Sequence, residues 1–158
     1  MTAAVLPSQR LTELGLALPA VPAPVAAYVP ATIAGDQVFT AGQLPFVDGV
    51  LPQAGKVGAA ITPDAAAEYA RTAALNAIAA AASVAGGVDA IARIIKLVVF
   101  VASDPEFTGQ PAVANGASVL LQQVFGEAGV HARSAVGVAV LPLDAPVEVE
   151  LIAQVVRR

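Results

Sequence analysis

The chain has 158 residues, a formal net charge of −4 and no cysteine, and 57% of its residues are hydrophobic. A chain of this length forms one ordinary domain with a substantial core. Its acidic balance argues against a nucleic-acid partner, and the lack of cysteine, with only one histidine, excludes disulfides, thiolate sites and multi-histidine metal centres. Only 13% of residues are charged, against roughly 25% in typical domains. We therefore expect copies of the chain to cover much of its surface.

Residues 1–24 are predicted to form an extension ahead of the main domain. Ser8 is placed to cap a short helix over residues 10–16, and the prolines between 19 and 24 predict an extended connector. Residues 11–27 are apolar, but an acidic residue and three prolines interrupt them and no basic segment precedes them. We therefore expect neither a signal peptide nor a membrane span, and we predict a cytoplasmic protein.

The first half of the main domain is predicted to contain two strands, a loop and a helix. Residues 25–33 and 38–41 are strand-like, and Gly35-Asp36 between them is a hairpin signal. The Gly- and Pro-rich stretch 42–58 predicts a loop, and it lacks the glycine spacing of both nucleotide-binding fingerprints. A helix then begins at Thr62-Pro63-Asp64, with Thr62 as its cap, and ends at Gly86-Gly87.

The second half is predicted to continue with a central strand, a helix and two more strands. Residues 91–102 form a nearly continuous β-branched run, typical of a strand covered on both sides. A helix is predicted from about residue 113 to 125, with its inward face formed by Leu120, Leu121, Val124 and Phe125. The strand–strand–helix–strand–helix–strand–strand order predicts an α+β domain, with two helices on one face of a mixed sheet.

The segment His131–Ala153 contains the main candidate site residues that the alternation of the sequence indicates. It alternates as two strands joined by a Pro-containing turn, which predicts a hairpin with Arg133, Glu148 and Glu150 emerging on one side. A guanidinium among small apolar residues needs a carboxylate or a ligand. An ion pair with Glu148 or Glu150 and an anion-binding role therefore both remain open.

The two glutamates also allow two interpretations. They lie about 7 Å apart on one strand face, so they suit either paired acid–base work or two solvated carboxylates. A Ser134–His131–Asp144 triad is disfavoured, because strand parity puts Ser134 and His131 on opposite faces. His131 is expected instead to close a turn before the strand.

Several of these segments resemble the signatures of the Rid (YjgF) family from about residue 11 onward. The matching runs are Ala132-Arg133-Ser134, the Leu141-Pro142 turn, Val147-Glu148-Val149-Glu150, Ala26 with Tyr28-Val29, Thr40-Ala41-Gly42-Gln43-Leu44-Pro45, Asn76, Val98–Val101 and Asn115-Gly116-Ala117-Ser118. The resemblance implies a chorismate-mutase-like fold and a homotrimer with clefts between its subunits.

The resemblance also implies an activity and the residues of its site. Family members hydrolyse enamines and imines derived from amino acids to 2-keto acids and ammonia, without a cofactor or metal. Arg133 would bind the substrate carboxylate and Glu148 would place or activate the attacking water. The positions that would line the pocket are Tyr28, Ala41, Gly42, Gln43, Asn115 and Ala135.

Two positions depart from the family pattern. Ala41 stands where the family usually has Ser or Thr, and Ala135 stands where it often has Cys. These changes keep open an alternative function, in which a non-catalytic trimer binds small carboxylates or a protein partner. The endoribonuclease label also used for the family finds no support in an acidic chain with one histidine.

Overall fold

The computed structural model describes residues 4–23 and 27–156. Within these ranges the helices and strands follow the predicted order. Their bounds are α1 (Pro7–Glu13), β1 (Ala31–Ala34), β2 (Gln37–Thr40), α2 (Pro63–Ala85), β3 (Ile91–Ala102), α3 (Gln110–Phe125), β4 (Ala132–Val138) and β5 (Val147–Val155).

The strands form one mixed sheet of five strands within the described ranges, in the order β1-β2-β5-β3-β4. β1 pairs with β2, β2 with β5 and β5 with β3, all antiparallel, whereas β4 lies parallel to β3 at the edge. The mixed sheet is confirmed, and residues 91–102 form an interior strand of it. The prediction that both sides of this strand are covered is wrong, because the helices cover only one of its faces.

The predicted C-terminal hairpin is wrong. β4 and β5 do not pair with each other, because β3 lies between them and bonds to both. Alternation in the sequence gives the two faces of each strand, but it does not give the neighbour of the strand in the sheet. The long apolar β3 provides two hydrogen-bonding edges, and the connection across residues 139–146 carries the chain from one edge to the other.

Helices α2 and α3 pack side by side on one face of the sheet, as predicted. The buried strand residues on that face include Leu97, Val99, Val149 and Leu151. The predicted inward face of α3 is also buried. The helices approach closely, since a Cβ on Gly116 would lie 1.9 Å from the carbonyl oxygen of Ala67 in α2. The opposite side carries no helix of the described residues, and we call it the open face. It carries Phe39, Lys96, Val98, Phe100, Ser134, Val136, Glu148, Glu150 and Ile152.

Several predicted ends differ from the structure. α1 begins at Pro7 rather than at residue 10, and Ser8 lies inside it, where its hydroxyl donates to Asp89. The first strand covers 31–34 rather than 25–33; residues 24–26 lie outside the described ranges. α3 begins at Gln110, three residues before its predicted start.

The start and end of α2 follow the prediction. The Thr62 hydroxyl accepts from the backbone of Ala65, and Gly86 closes the helix with a left-handed conformation. In residues 4–23 and 27–156, no helix combines the length and the apolar character that crossing a membrane requires.

Candidate functional site

Arg133 and the two glutamates lie on opposite faces of the sheet, which contradicts the prediction that they share one side. Arg133 is in register with the buried Leu97 and therefore points toward the helices. Glu148 and Glu150 are in register with Phe100 and Val98 on the open face. The prediction placed them together because it assumed a β4–β5 hairpin. Within one protomer these groups therefore do not face a common ligand.

Two residues of α3 hold the Arg133 guanidinium. Its Nη1 donates to Asn115 Oδ1 at 2.7 Å and to Ser118 Oγ at 3.2 Å. Asn115 and Ser118 are three residues apart, so they lie on neighbouring turns of the same helix face. The structure thus brings together two of the residues that the sequence predicted for the site, Arg133 and Asn115.

A further pair of hydrogen bonds continues from this group toward the start of β4. Ser118 Oγ lies 2.9 Å from His131 Nε2, and His131 Nδ1 lies 2.6 Å from the carbonyl oxygen of Gly129. The second bond agrees with the expectation that His131 closes a turn. Ser118 is buried, and His131 and Arg133 are half-buried, so this polar chain lies at the edge of the core.

Arg133 has no acidic partner within residues 4–23 and 27–156. No Asp or Glu of these ranges forms an ion pair with it, and both of its hydrogen-bond acceptors are neutral. The proposed ion pair with Glu148 or Glu150 is therefore wrong. No carboxylate of the described residues therefore neutralises the guanidinium.

Glu148 lies beneath the loop 41–43 on the open face. Gln43 and Val149 exchange backbone hydrogen bonds of 2.7 and 2.9 Å, which fix the loop against β5. A Cβ on Gly42 would lie 1.8 Å from Glu148 Oε1, so only glycine allows the carboxyl group to lie there. The structure brings Gly42, Gln43 and Glu148 together, as a second group separate from Arg133.

The surroundings of Glu148 raise its pKa above the ordinary value of 4.5. Burial is the larger cause, because it disfavours the charged carboxylate, and the neighbouring charge of Glu150 adds to it. A carboxyl group with a raised pKa is better matched to proton transfer near neutral pH than an ordinary glutamate.

The remaining predicted residues occupy separate positions. Ala135 packs against the core beside Val99 on the helix-covered face. The Ala41 backbone donates to Pro30, which links the loop to the segment after Tyr28, and Tyr28 itself is 66% exposed. A cleft of about 500 Å³ lies between residues 19–22, the loop 43–49 and α2, and Gln43 lines it. Among residues 4–23 and 27–156, no three His, Asp or Glu side chains are grouped to hold a metal ion.

The sequence reasoning missed Ser118 and His131 as neighbours of Arg133. Two signals were available in the pattern. His131 lies two residues before Arg133, a spacing that places both on one strand face. Ser118 lies three residues after Asn115, a spacing that places both on one helix face.

The chain belongs to a family described as "YjgF/chorismate mutase-like, putative endoribonuclease", whose model matches residues 8–155. The prediction of Rid (YjgF) membership is therefore confirmed, and with it the chorismate-mutase-like fold.

Three relatives illustrate the range of similarity. Protein TCP17 of Trypanosoma cruzi is 44% identical over 146 residues, which cover 92% of this chain and 91% of that protein. The crystal structure of Atu1372 from Agrobacterium tumefaciens, a protein of unknown function, is 43% identical, with a TM-score of 0.87 and coverage of 96% and 94% of the two chains. The structure of TdcF from E. coli with bound serine is 31% identical, with a TM-score of 0.58 and coverage of 85% and 92%.

Proposed function

We propose that the protein hydrolyses reactive enamines and imines derived from amino acids, releasing a 2-keto acid and ammonia. The observation that carries the proposal is the Arg133 guanidinium, which neutral acceptors hold and no carboxylate of the described residues neutralises. A 2-imino acid carries a carboxylate next to its reactive carbon. A guanidinium fork matches that group in charge and in planar geometry.

Glu148 is the group proposed to move protons. Its raised pKa allows it to accept a proton from water as the oxygen adds to the imine carbon. The same carboxyl then gives that proton to the nitrogen, which produces a carbinolamine. It next takes the proton of the new hydroxyl group and passes it to the nitrogen as the carbon–nitrogen bond breaks, so that the carbonyl forms and ammonia leaves. The imine carbon is electrophilic, so positioning of water and substrate supplies most of the acceleration that this chemistry needs.

The site requires two protomers, because Arg133 and Glu148 lie on opposite faces of one sheet. We therefore propose that Arg133 of one protomer faces Glu148 and the loop 41–43 of a neighbour in a homotrimer. The open face supports self-association, since it exposes 45% of Val136 and 37% of Phe39. A solitary domain leaves such a face in water, whereas a symmetric oligomer buries it.

A relative supports the class of ligand. TdcF binds serine in its crystal structure, and serine carries the α-carboxylate that Arg133 is proposed to bind here. We propose that Arg133 binds the same carboxylate group in imino acids, which are the proposed substrates.

The test is release of 2-keto acid from imino acids that an amino-acid oxidase generates in the assay. Arg133→Ala is expected to lower kcat/KM at least about 100-fold, because the carboxylate loses its charged partner. Arg71→Ala is the matched control, since Arg71 is held by Gln123 on the helical layer and is expected to leave the rate unchanged. An Arg133→Ala protein as active as the wild type would end the proposal.

A second candidate is a trimer that binds small carboxylates without turnover. Ala41 and Ala135 favour it, because the hydroxyl and thiol groups frequent at these family positions are missing. Calorimetric titration with 2-ketobutyrate distinguishes the candidates. Tight binding without release of keto acid from imino acids supports the binding protein, and absence of binding rejects it.

A further inference from the structure

We propose that Ser118 and His131 are positioning residues, which hold Arg133 so that its Nε–Nη2 edge receives the carboxylate of the ligand. The inference rests on the proposed role of Arg133 as the carboxylate-binding group. It adds the edge of the guanidinium that binds and the two residues that fix it. Neither residue is required to touch the ligand.

The first step is the donor inventory of Arg133. A guanidinium has five N–H donors in one plane, two on each Nη and one on Nε. The two hydrogens of Nη1 are used by Asn115 and Ser118. The donors on Nη2 and Nε have no acceptor among the described residues. The Nε hydrogen and one of the two Nη2 hydrogens point in parallel from one edge. That edge matches the two oxygens of a carboxylate.

The second step is the direction of each hydrogen bond beyond Arg133. The carbonyl oxygen of Gly129 can only accept, so His131 Nδ1 carries a proton. In the neutral ring Nε2 is then an acceptor, and the Ser118 hydroxyl donates to it. The Ser118 oxygen is left to accept from Arg133 Nη1. Each donor in this series of hydrogen bonds therefore has one acceptor.

The third step is the consequence for the guanidinium. Two acceptors on Nη1 fix both the position and the plane of the fork, whereas one acceptor leaves it free to rotate about that bond. Because Ser118 is buried, its hydroxyl group has few other partners. His131 Nε2 accepts the hydrogen of this hydroxyl group, so that the Ser118 oxygen stays available to accept from Arg133. Loss of either group thus frees the plane of the guanidinium without removing its charge.

The experiment measures binding of 2-ketobutyrate by calorimetry to matched pairs of variants. Ser118→Ala is expected to raise Kd about 10-fold, and Ser118→Thr, which retains the hydroxyl, to stay within about twofold of wild type. His131→Phe removes the acceptor and is expected to raise Kd. His131→Gln retains an acceptor and is expected to keep Kd close to that of the wild type. Ser83→Ala removes a hydroxyl that donates to Ala80 in α2, and it is expected to leave Kd unchanged.

Nitrogen-15 NMR of the wild-type protein gives a readout that does not depend on any variant folding. The chain has one histidine, so a single set of ring signals reports His131, and we expect a proton on Nδ1 and none on Nε2. The Arg133 Nε–H signal, assigned by its loss in Arg133→Lys, is expected to shift on addition of 2-ketobutyrate. A neutral ring protonated at Nε2, or an Nε–H signal that does not move, overturns the inference.

Failure of the proposed function has a different signature. Absence of 2-keto acid release from imino acids rejects the hydrolase and leaves these binding readouts intact. Conversely, consider a wild-type protein that hydrolyses imino acids while Ser118→Ala and Ser118→Thr bind 2-ketobutyrate with equal Kd values. That result rejects the positioning role and is consistent with the hydrolase.

Discussion

Glu148 and Glu150 show how one strand face sets the acidity of a carboxyl group. They lie two residues apart on the open face, where burial of Glu148 raises its pKa and the neighbouring charge of Glu150 adds to that effect. Such a group binds its proton more tightly in the folded protein than in the unfolded chain. Its stabilising contribution is therefore complete below the ordinary pKa of 4.5, and it is lost as the pH rises through the raised value.

Because folding disfavours the ionised form of Glu148, we predict that Glu148→Gln stabilises the protein at neutral pH. The free energy of unfolding at pH 7 is expected to rise by no more than about 1 kcal/mol, because water still screens a carboxyl that is only half-buried. The gain is expected to disappear near pH 4. Denaturant unfolding across this range measures it, with Glu106→Gln, an exposed loop position, as the control. A variant less stable than wild type at pH 7 would contradict the stated cause of the pKa shift.

Gly42 allows the position of Glu148 to be tested without removing its charge. An added methyl group at residue 42 would occupy the place of Glu148 Oε1, and the flexible carboxyl group would move aside. Gly42→Ala is therefore expected to lower the rate of imine hydrolysis at least about 10-fold and to shift the midpoint of thermal unfolding only slightly. An unchanged rate of hydrolysis in Gly42→Ala would show that catalysis does not depend on the position of Glu148 beneath the loop.

At the scale of the elements, the contact between α2 and α3 depends on one glycine. Replacing a mid-helix glycine by alanine usually stabilises a helix by about 0.5–1 kcal/mol. At Gly116 the sign is expected to reverse, because the new Cβ would meet the rigid backbone of α2 at Ala67. We predict a loss of about 1–3 kcal/mol for Gly116→Ala.

Denaturant unfolding of Gly116→Ala measures this contact directly. Val119→Ala is the control in the same helix, since Val119 is 47% exposed, and its effect is expected to stay within about 0.5 kcal/mol. A stabilised Gly116→Ala protein would mean that the helices are further apart than in the structure.

The sequence predicted the elements whose signals are local. The Thr62 cap and the Gly86 stop define α2 within a few residues of each end, and the apolar run of β3 predicts an interior strand, although only one of its faces is covered by helices. The pairing of β4 and β5 was not predictable in the same way. Both strands alternate well, but the insertion of β3 between them depends on contacts across the sheet that alternation does not encode.

The candidate site shows the same division. Arg133, Asn115 and Glu148 came from motifs, and the structure places Arg133 against Asn115. That Arg133 and Glu148 occupy opposite faces follows from the strand order, which the sequence reasoning had wrong. Spacing places Ser118 beside Asn115 and His131 beside Arg133, but the contacts of Ser118 with Arg133 and with His131 depend on the packing of α3 against β4, which no local pattern contains.

In the assembled protein, the proposed function requires a site shared between protomers. Arg133 lies on the helix-covered side of edge strand β4, and Glu148 lies on the open face of β5, with β3 between these strands. One protomer therefore cannot offer both groups to one small substrate. Under the proposed function, a neighbouring copy supplies the second group.

Co-expression of Arg133→Ala and Glu148→Gln subunits tests this directly. Each variant alone is expected to be inactive toward imino acids. In randomly mixed oligomers about one quarter of the sites would combine an intact Arg133 from one subunit with an intact Glu148 from its neighbour. We predict recovery of about that share of wild-type activity. Mixed oligomers as inactive as the separate variants would contradict it.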